Sequence, residues 1–300
     1  MRTYFDCAQC FVRQALDAAR LLSTDKKIHE QVLRKVLSAA SEMDFYKSPP
    51  AMGQRIHRLI RELLGDDDPY RQIKDRSNRL AMKLYPELKK SIEQSSDLLE
   101  TAVRFAIAGN IIDLGVNSQL DESIIYKTIE DSMKNALFPN TSNDFRDAVN
   151  LATDILYLGD NAGEIVFDRL LIEQLPYEKV TFVVRGSPVI NDATLVDAQL
   201  TGITDIVEVI DNGSDAPGTI LEDCSPAFRA RFEKADLIIS KGQGNYESLS
   251  DIKKNILFVL IAKCPVIAHD IGCDVGSLVL KTSFLEVTAK INNKRYAEIT

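Results

Sequence analysis

Two kinds of hydrophobic pattern divide the chain near residue 150. Before that point, apolar residues recur every three or four positions, which predicts amphipathic helices. The predicted helices span residues 11–22, 28–39, 52–64, 70–89, 98–114, 124–137 and 145–151. Residues 1–150 are therefore predicted to form a helical domain.

After residue 150, short apolar runs alternate with helical patterns. The runs that suit strands are 155–158, 180–184, 206–210, 237–239, 256–262 and 266–268. Strands that alternate with helices form βαβ units, in which neighbouring strands are parallel. We predict an α/β domain with a mostly parallel sheet in residues 151–300. No long Gly/Ser/Pro linker precedes it, so the helical domain is expected to pack against the sheet domain.

Composition limits the classes of function. The 300 residues are 45% hydrophobic and 27% charged, as in ordinary globular proteins. The formal net charge is −8 and no basic run exceeds a pair, which argues against a nucleic-acid partner. No apolar stretch is long enough to cross a membrane, and the first residues lack a signal-peptide core. With an odd number of cysteines, five, these features favour a cytoplasmic protein.

Polar side chains follow the predicted strands. In chain order, the first four strands are followed by Asp160, Asn161 and Glu164; by Arg185, Asn191 and Asp192; by Asp211 and Asn212; and by Lys241 and Asn245; the last strand is followed by His269 and Asp270. The carboxyl ends of parallel strands share one edge of a sheet, where ligands bind. Converging carboxylates repel one another unless a cation lies between them, and oxygen ligands suit a hard ion such as Mg²⁺ or Mn²⁺. Single Asp and Asn residues are also common in turns and helix caps, but the whole set favours a metal site.

A second group of residues, 241–245, follows the predicted strand at 237–239 directly. Gly242 and Gly244 would let backbone amides approach an anion, and Lys241 would supply a positive charge. The segment matches neither of the two common nucleotide-binding glycine motifs. It is predicted to hold a phosphate, although Gly-x-Gly after a strand is also a common tight turn.

Asn110 and Asp113 extend an apolar stripe of the predicted helix at 98–114. They follow Leu99, Val103 and Ala106 at steps of three and four residues, so they are expected to face inward. A buried amide or carboxylate needs a polar partner, and the strand ends could supply one. We therefore predict that both residues line the substrate pocket, the alternative being a hydrogen bond that only joins the domains.

Six ordered segments resemble the damage-control phosphatases, a family long catalogued as domain of unknown function 89. The segments are residues 6–10, 108–113, 158–164, 185–194, 211–219 and 241–247. They span nearly the whole chain, and the pair Cys7 and Cys10 is similar to the mainly prokaryotic branch of the family. The resemblance implies a helical N-terminal domain packed on a Rossmann-like three-layer α/β/α domain.

The resemblance also implies an activity: a phosphatase that depends on a divalent metal ion (Mn²⁺, Mg²⁺, Co²⁺ or Ni²⁺). Its substrates would be small phosphorylated metabolites, either sugar phosphates or damaged phosphometabolites. The family's metal ligands fall on Asp160, Asn161 and Asp192, and its phosphate contacts on residues 241–245. The expected catalytic residues are Asp160, Lys241 and Asp113, and the expected substrate-binding residues are Asn110, Glu164, Arg185, Gly242, Gly244 and Asn245.

Several alternatives stay open at this point. One is a carboxyl methyltransferase that uses S-adenosylmethionine, an activity claimed for a eukaryotic part of the family, and another is a metal- or metabolite-binding protein without turnover. Asp160 could also form a covalent intermediate, although Asp160-Asn161-Ala162 does not supply the Asp-x-Asp motif that such chemistry needs after the first strand. For Cys7 and Cys10 we favour a core or incidental role over a zinc site, because no second Cys-x-x-Cys exists. The sequence predicts no oligomeric state.

Overall fold

The computed structural model describes residues 1–110, 122–139 and 142–283. The helices in this part of the chain are α1 Phe5–Leu22, α2 Lys26–Ser41, α3 Pro49–Leu64, α4 Arg71–Glu93, α5 Leu98–Gly109, α6 Glu122–Lys134, α7 Ser142–Leu151, α8 Glu164–Ile172, α9 Leu195–Leu200, α10 Pro226–Lys234, α11 Gln243–Leu249 and α12 Pro265–Ile271. The strands are β1 Leu137–Phe138, β2 Ile155–Leu158, β3 Val180–Val184, β4 Glu208–Asp211, β5 Leu237–Lys241, β6 Ile256–Ile261 and β7 Leu278–Thr282.

The first three helices have an apolar core of their own. Ala15 of α1, Val32 and Val36 of α2, and Ile56 and Ile60 of α3 are all fully buried in it. The pairs in α2 and α3 are four residues apart, so each pair lies on one face of its helix. This spacing is the pattern that predicted the helices from the sequence.

The seven strands form one sheet in the order β1-β7-β6-β5-β2-β3-β4. All neighbouring strands are parallel except β6 and β7, which are antiparallel. From β2 the chain continues outward through β3 to β4, and it then returns to the other side of β2 to form β5. The sheet order thus reverses between β2 and β5, and such a reversal opens a crevice at the carboxyl ends of the two strands.

Helices cover both faces of this sheet. Ile155 and Tyr157 of β2 face one way and pack in a core with α4, α5 and α8. Leu156 and Leu158 face the other way and pack with α10, α11 and α12. The predicted α/β class with a mostly parallel sheet and a three-layer arrangement is therefore confirmed. The core that contains α4 and α5 also contains α8, so it is continuous across the predicted domain boundary near residue 150.

Two elements differ from the sequence prediction. Residues 266–268, predicted as a strand, lie in α12, which begins at Pro265 and so has a proline at its first helical position, a typical helix start. Leu137, predicted as the end of a helix, is in β1 and pairs with Leu278 of β7. Asp113, predicted to line the pocket, lies outside the described residues. Among the described helices, none has the length and apolar character needed to cross a membrane.

Candidate active site at the reversal of the sheet order

The crevice between β2 and β5 brings two predicted segments side by side. In the parallel register, Leu158 of β2 is opposite Ser240 of β5. The next residues of each strand therefore leave the sheet together, which puts Asp160 next to Gly242. A Cβ atom built on Gly242 would lie 1.9 Å from Oδ2 of Asp160. Only glycine fits at position 242 unless the carboxylate moves.

Backbone pairing sets the predicted metal ligands next to one another. Asn161 and Asp192 form an isolated antiparallel bridge. On either side of it, the amide of Ala162 donates to the carbonyl of Asn191 at 2.8 Å, and the amide of Ala193 donates to the carbonyl of Asp160 at 2.8 Å. The loop after β3 is thus held against the loop after β2. The sequence alone predicted the residue types but not this pairing.

Asp160 lies in a crowded acidic environment. Burial raises the pKa of this carboxyl well above its ordinary value, and the negative charges of Glu164 and Asp192 raise it further. Arg185, whose guanidinium Nη2 is 3.6 Å from Oδ1 of Asp160, and Lys263 oppose this rise in pKa. A cation bound between the carboxylates would favour their ionised form.

Glu164 fixes the orientation of two amide side chains. Its Oε2 accepts hydrogen bonds from Nδ2 of Asn110 and of Asn161, each at 2.9 Å. Both Nδ2 groups also donate to Oδ2 of Asp160, at 3.1 and 3.0 Å. The amide oxygen of Asn161 is therefore the side-chain atom that remains for a cation. Asn110 is fully buried at the end of α5, as the apolar stripe predicted, and its Oδ1 has no partner among the described residues.

Lys241 lies beneath the crevice. Its side chain is fully buried, and Nζ donates to the carbonyl of Ala106 at 2.8 Å, to Glu164 at 2.7 Å and to Asp168 at 2.5 Å. The two carboxylates keep the pKa of Lys241 above its ordinary value although burial acts in the opposite direction. All three ammonium hydrogens are used inside the protein, so this arrangement does not bring the Lys241 charge to a phosphate in the crevice.

Arg185 and Asn245 brace the crevice from the side of β3 and α11. Arg185 is buried, and its Nε donates to Asp192 at 2.7 Å while Nη1 donates to Oδ1 of Asn245 at 3.2 Å. Asn245 in turn donates from Nδ2 to the carbonyls of Gly159 and Lys241, at 3.2 and 2.8 Å. Nη2 of Arg185 has no hydrogen-bond acceptor among the described residues. Through its bonds to Gly159 and Lys241, Asn245 joins the carboxyl ends of β2 and β5.

A cavity of about 530 Å³ opens above these residues. Asp160 and Asn161 line it from the loop after β2, and Gly244 lines it from the first turn of α11. Sequence reasoning missed several other lining residues, which are Lys263 after β6, His57, Tyr70, Arg13 and Ile190. Lys263 directly follows the predicted strand at 256–262, so the rule that found Asp160 applies to it as well. Ile190 has a positive φ of 43°, and such strain is concentrated at functional sites.

The donor set suits a hard divalent ion. Asp160 and Asp192 offer carboxylate oxygens and Asn161 offers an amide oxygen, which are ligands that Mg²⁺ and Mn²⁺ accept. The buried and mutually repelling carboxylates at Asp160 fit the presence of a cation. Within residues 1–110, 122–139 and 142–283, no three or more His, Cys, Asp and Glu side chains form a metal-binding group, so the amide is needed as a ligand.

Cys7 and Cys10 lie at a neighbouring cavity of about 520 Å³, which Cys264 also lines. All three are free thiols. Burial raises the pKa of Cys7 and of Cys264, which lowers their thiolate fraction and hence their reactivity. That these cysteines serve no zinc site stays a prediction.

Comparisons with known proteins identify the family. The family model of the damage-control phosphatase ARMT1-like domain matches residues 3–279. A protein of Methanocaldococcus jannaschii described as uncharacterized is 40% identical over 92% of this chain and 93% of its own length. A damage-control phosphatase of Archaeoglobus fulgidus is 38% identical over 92% of this chain and 97% of its own length.

A solved structure gives the same result. The crystal structure of a DUF89 family protein from Pyrococcus horikoshii superposes with a TM-score of 0.86, at 31% sequence identity, and covers 95% of this chain and 100% of that one. The resemblance found in the sequence motifs is thereby confirmed over nearly the whole chain. This protein belongs to the family of damage-control phosphatases with an ARMT1-like domain.

Proposed function

We propose that this protein is a divalent-metal-dependent phosphatase that hydrolyses small phosphorylated metabolites, either sugar phosphates or damaged phosphometabolites. Two relatives at 38% and 32% identity carry the name damage-control phosphatase, which supports the hydrolase class. The metal dependence and the substrate class rest on the chemistry of the crevice.

The observation that carries this proposal is an imbalance of charge. Four carboxylates, Asp160, Glu164, Asp168 and Asp192, lie in or directly beneath the crevice. Their buried cationic partners are Lys241 and Arg185, so the buried groups, when all four carboxylates are ionised, carry four negative charges and two positive ones; Lys263 acts on Asp160 from an exposed position. Two negative charges remain in a poorly hydrated place, where uncompensated charge is costly. One divalent cation would neutralise them.

Asp160, Asn161 and Asp192 would hold this ion, which in its bound state polarises a phosphoryl oxygen and lowers the pKa of a coordinated water. Asp160 and Asp192 also remain in contact with Arg185, which limits the movement of both carboxylates. Glu164 holds the Asn161 amide so that its oxygen, and not its NH₂ group, faces the ion.

The phosphate would be bound by groups that line the cavity. Lys263 follows β6 at the cavity wall and interacts electrostatically with Asp160. The backbone at Gly244, in the first turn of α11, lines the same cavity and could approach a phosphate closely because no side chain intervenes. We assign Lys263 the role of stabilising the charge of the transferring phosphoryl group. Lys241 then acts on the site indirectly, through its ion pair with Glu164.

Phosphate release tests the proposal. Wild-type protein would be incubated with a panel of sugar phosphates, with Mn²⁺, Co²⁺, Ni²⁺ or Mg²⁺ or with a chelator. Release that requires a metal ion supports the proposal, whereas its absence with every metal would favour a methyltransferase or a non-catalytic binding protein. Asp160→Ala and Asp192→Ala should each abolish the dependence on the ion, because a site with three protein ligands loses one.

A matched control separates loss of the ion from loss of the fold. Asp205, an exposed residue near the surface helix α9, is remote from the crevice, and Asp205→Ala should keep both phosphate release and its metal dependence. If Asp160→Ala keeps wild-type activity at limiting metal concentration, the assignment of the metal site is wrong.

A further inference from the structure

His57 is a buried polar residue to which the proposed chemistry gives no task. It comes from α3, its side chain is only 1% exposed, and it lines the cavity together with Asp160 and Asn161. Its Nε2 has no hydrogen-bond partner among the described residues. Because an unpaired buried polar atom is costly, its persistence at a cavity wall indicates a partner that arrives with the ligand.

The other imidazole nitrogen of His57, Nδ1, faces the hydroxyl group of Tyr70. Tyr70, at the start of α4, is also buried, and its hydroxyl oxygen is 3.4 Å from Nδ1 of His57. Burial raises the pKa of Tyr70, so the phenol keeps its proton and can donate it to an unprotonated Nδ1. An Nδ1 atom that accepts a hydrogen bond carries no hydrogen in the neutral ring, which puts the hydrogen on Nε2.

The ring is neutral at ordinary pH. Burial lowers the pKa of His57 to about 3, and the positive charge of Arg61 lowers it further. A neutral imidazole with its hydrogen on Nε2 can donate a hydrogen bond to an oxygen atom. It has no positive charge, so it does not attract a phosphate dianion. This distinguishes His57 from Lys263, the cationic residue at the same cavity.

We propose that His57 is a specificity-determining residue whose Nε2–H donates a hydrogen bond to an oxygen atom on the leaving group of the substrate. The inference rests on the proposed phosphatase function and adds a substrate requirement to it. The ester must carry a hydroxyl or carbonyl oxygen in the part that is not phosphate. His57 and Tyr70 come from the helical wall of the cavity, whereas Asp160, Asn161 and Lys263 come from the strand ends, so the two parts of the substrate have separate binding sites.

The first test is spectroscopic and does not require turnover. The chain has three histidines, so His57 can be assigned by comparing long-range ¹H–¹⁵N spectra of wild type and His57→Phe. The expected spectrum shows an unprotonated Nδ1 and a protonated Nε2 for His57, in the same state from about pH 5 to 9. A protonated Nδ1 would overturn the proposal.

The second test uses a pair of ligands that differ only in hydroxyl groups, glycerol 3-phosphate and n-propyl phosphate. Each is titrated into wild-type protein with and without Mg²⁺, and the Nε2–H resonance of His57 is followed. Glycerol 3-phosphate should shift this resonance and n-propyl phosphate should not. Equal shifts with both compounds would assign the contact to the phosphate, and no shift with either would mean that a buried water or nothing pairs with Nε2; both results overturn the proposal.

Kinetics supply the third readout. His57→Phe should lower kcat/KM for glycerol 3-phosphate about 5-fold, the effect of one neutral hydrogen bond, and leave n-propyl phosphate unchanged. His57→Gln, which keeps an N–H group near the Nε2 position, should restore most of the loss and guards against misfolding of the Phe variant. His29→Gln, on α2 and outside the cavity lining, is the matched control.

The two hypotheses fail in different ways. If the protein releases no phosphate from any ester, the phosphatase function is wrong while the tautomer and the ligand-induced shift of His57 can still be observed. If phosphate release is normal and His57 neither shifts nor discriminates between the two esters, only the role of His57 is wrong.

Discussion

Replacing Gly242 by alanine tests whether the position of Asp160 determines activity. Gly242 has φ 78° and ψ 165°, a conformation that side chains strongly disfavour, and its added Cβ would be 1.9 Å from Oδ2 of Asp160. Ordinary contact begins at about 3.4 Å, so the carboxylate must move by more than about 1 Å. Displacement of a reacting group by about 1 Å can cost about 10²-fold in rate. We expect Gly242→Ala to lose at least that much in kcat/KM for its best phosphate ester.

Gly272 provides the matched control. It ends α12 with φ 86°, and an added Cβ there would meet no atom within 4 Å. Gly272→Ala should therefore lower the free energy of unfolding only by the strain of the left-handed backbone, about 1–2 kcal/mol. Its melting temperature should fall by a few degrees and its kcat/KM should not change. Phosphate release and thermal unfolding would be measured for both variants. Wild-type kcat/KM in Gly242→Ala would refute the reasoning, because it would mean that Asp160 can move freely without loss.

Three further changes separate the roles of the buried and exposed charges. Lys263→Met should lower kcat/KM by about 10²-fold or more with little effect on the melting temperature, whereas normal kinetics would remove Lys263 from the site. Lys241→Met should destabilise the fold by about 3–5 kcal/mol in denaturant unfolding, since it leaves Glu164 unpaired in the interior; an unchanged unfolding midpoint would contradict this. Burial raises the pKa of Glu247 to about 7, so the stability of the wild-type protein should fall as pH rises through 7. Glu247→Gln should therefore be more stable than wild type by about 1–2 kcal/mol at pH 8 but not at pH 4. Parallel pH profiles of the two proteins would refute this.

The strand ends were predictable from sequence because their signal is local. Four apolar residues followed by Gly159, Asp160 and Asn161 indicate a buried strand that ends in polar groups, and β2 has this form. The same local rule failed at residues 266–268, where Val266 and Ile267 suggested a strand. Pro265, at the first position of α12, is the local signal that indicates a helix there. Lys263 was missed for another reason: it directly follows the predicted strand at 256–262, but no polar residue after that strand was considered.

The burial of Lys241 could not be predicted in this way, because its cause is not local. The residues that hold its ammonium, Ala106, Glu164 and Asp168, are 135, 77 and 73 positions away in the chain. The helix α8 offered an indirect signal: Glu164 and Asp168 are one turn apart in a segment that is otherwise apolar. Acidic residues on a helix that is buried on all sides need a cationic partner, which only the fold identifies.

The contacts of Glu164 link the buried part of the protein to the proposed metal site. Lys241 on one side donates to this carboxylate, and on the other side the carboxylate accepts from Asn110 and Asn161. A carboxylate paired with a lysine accepts hydrogen bonds only, so Glu164 holds the NH₂ group of Asn161 toward itself and leaves the amide oxygen toward the cation. The buried ion pair between Lys241 and Glu164 thus selects the orientation in which Asn161 can serve as a metal ligand. This explains why Lys241, which has no access to the cavity, lies in the same sequence motif as Gly244, which lines the cavity.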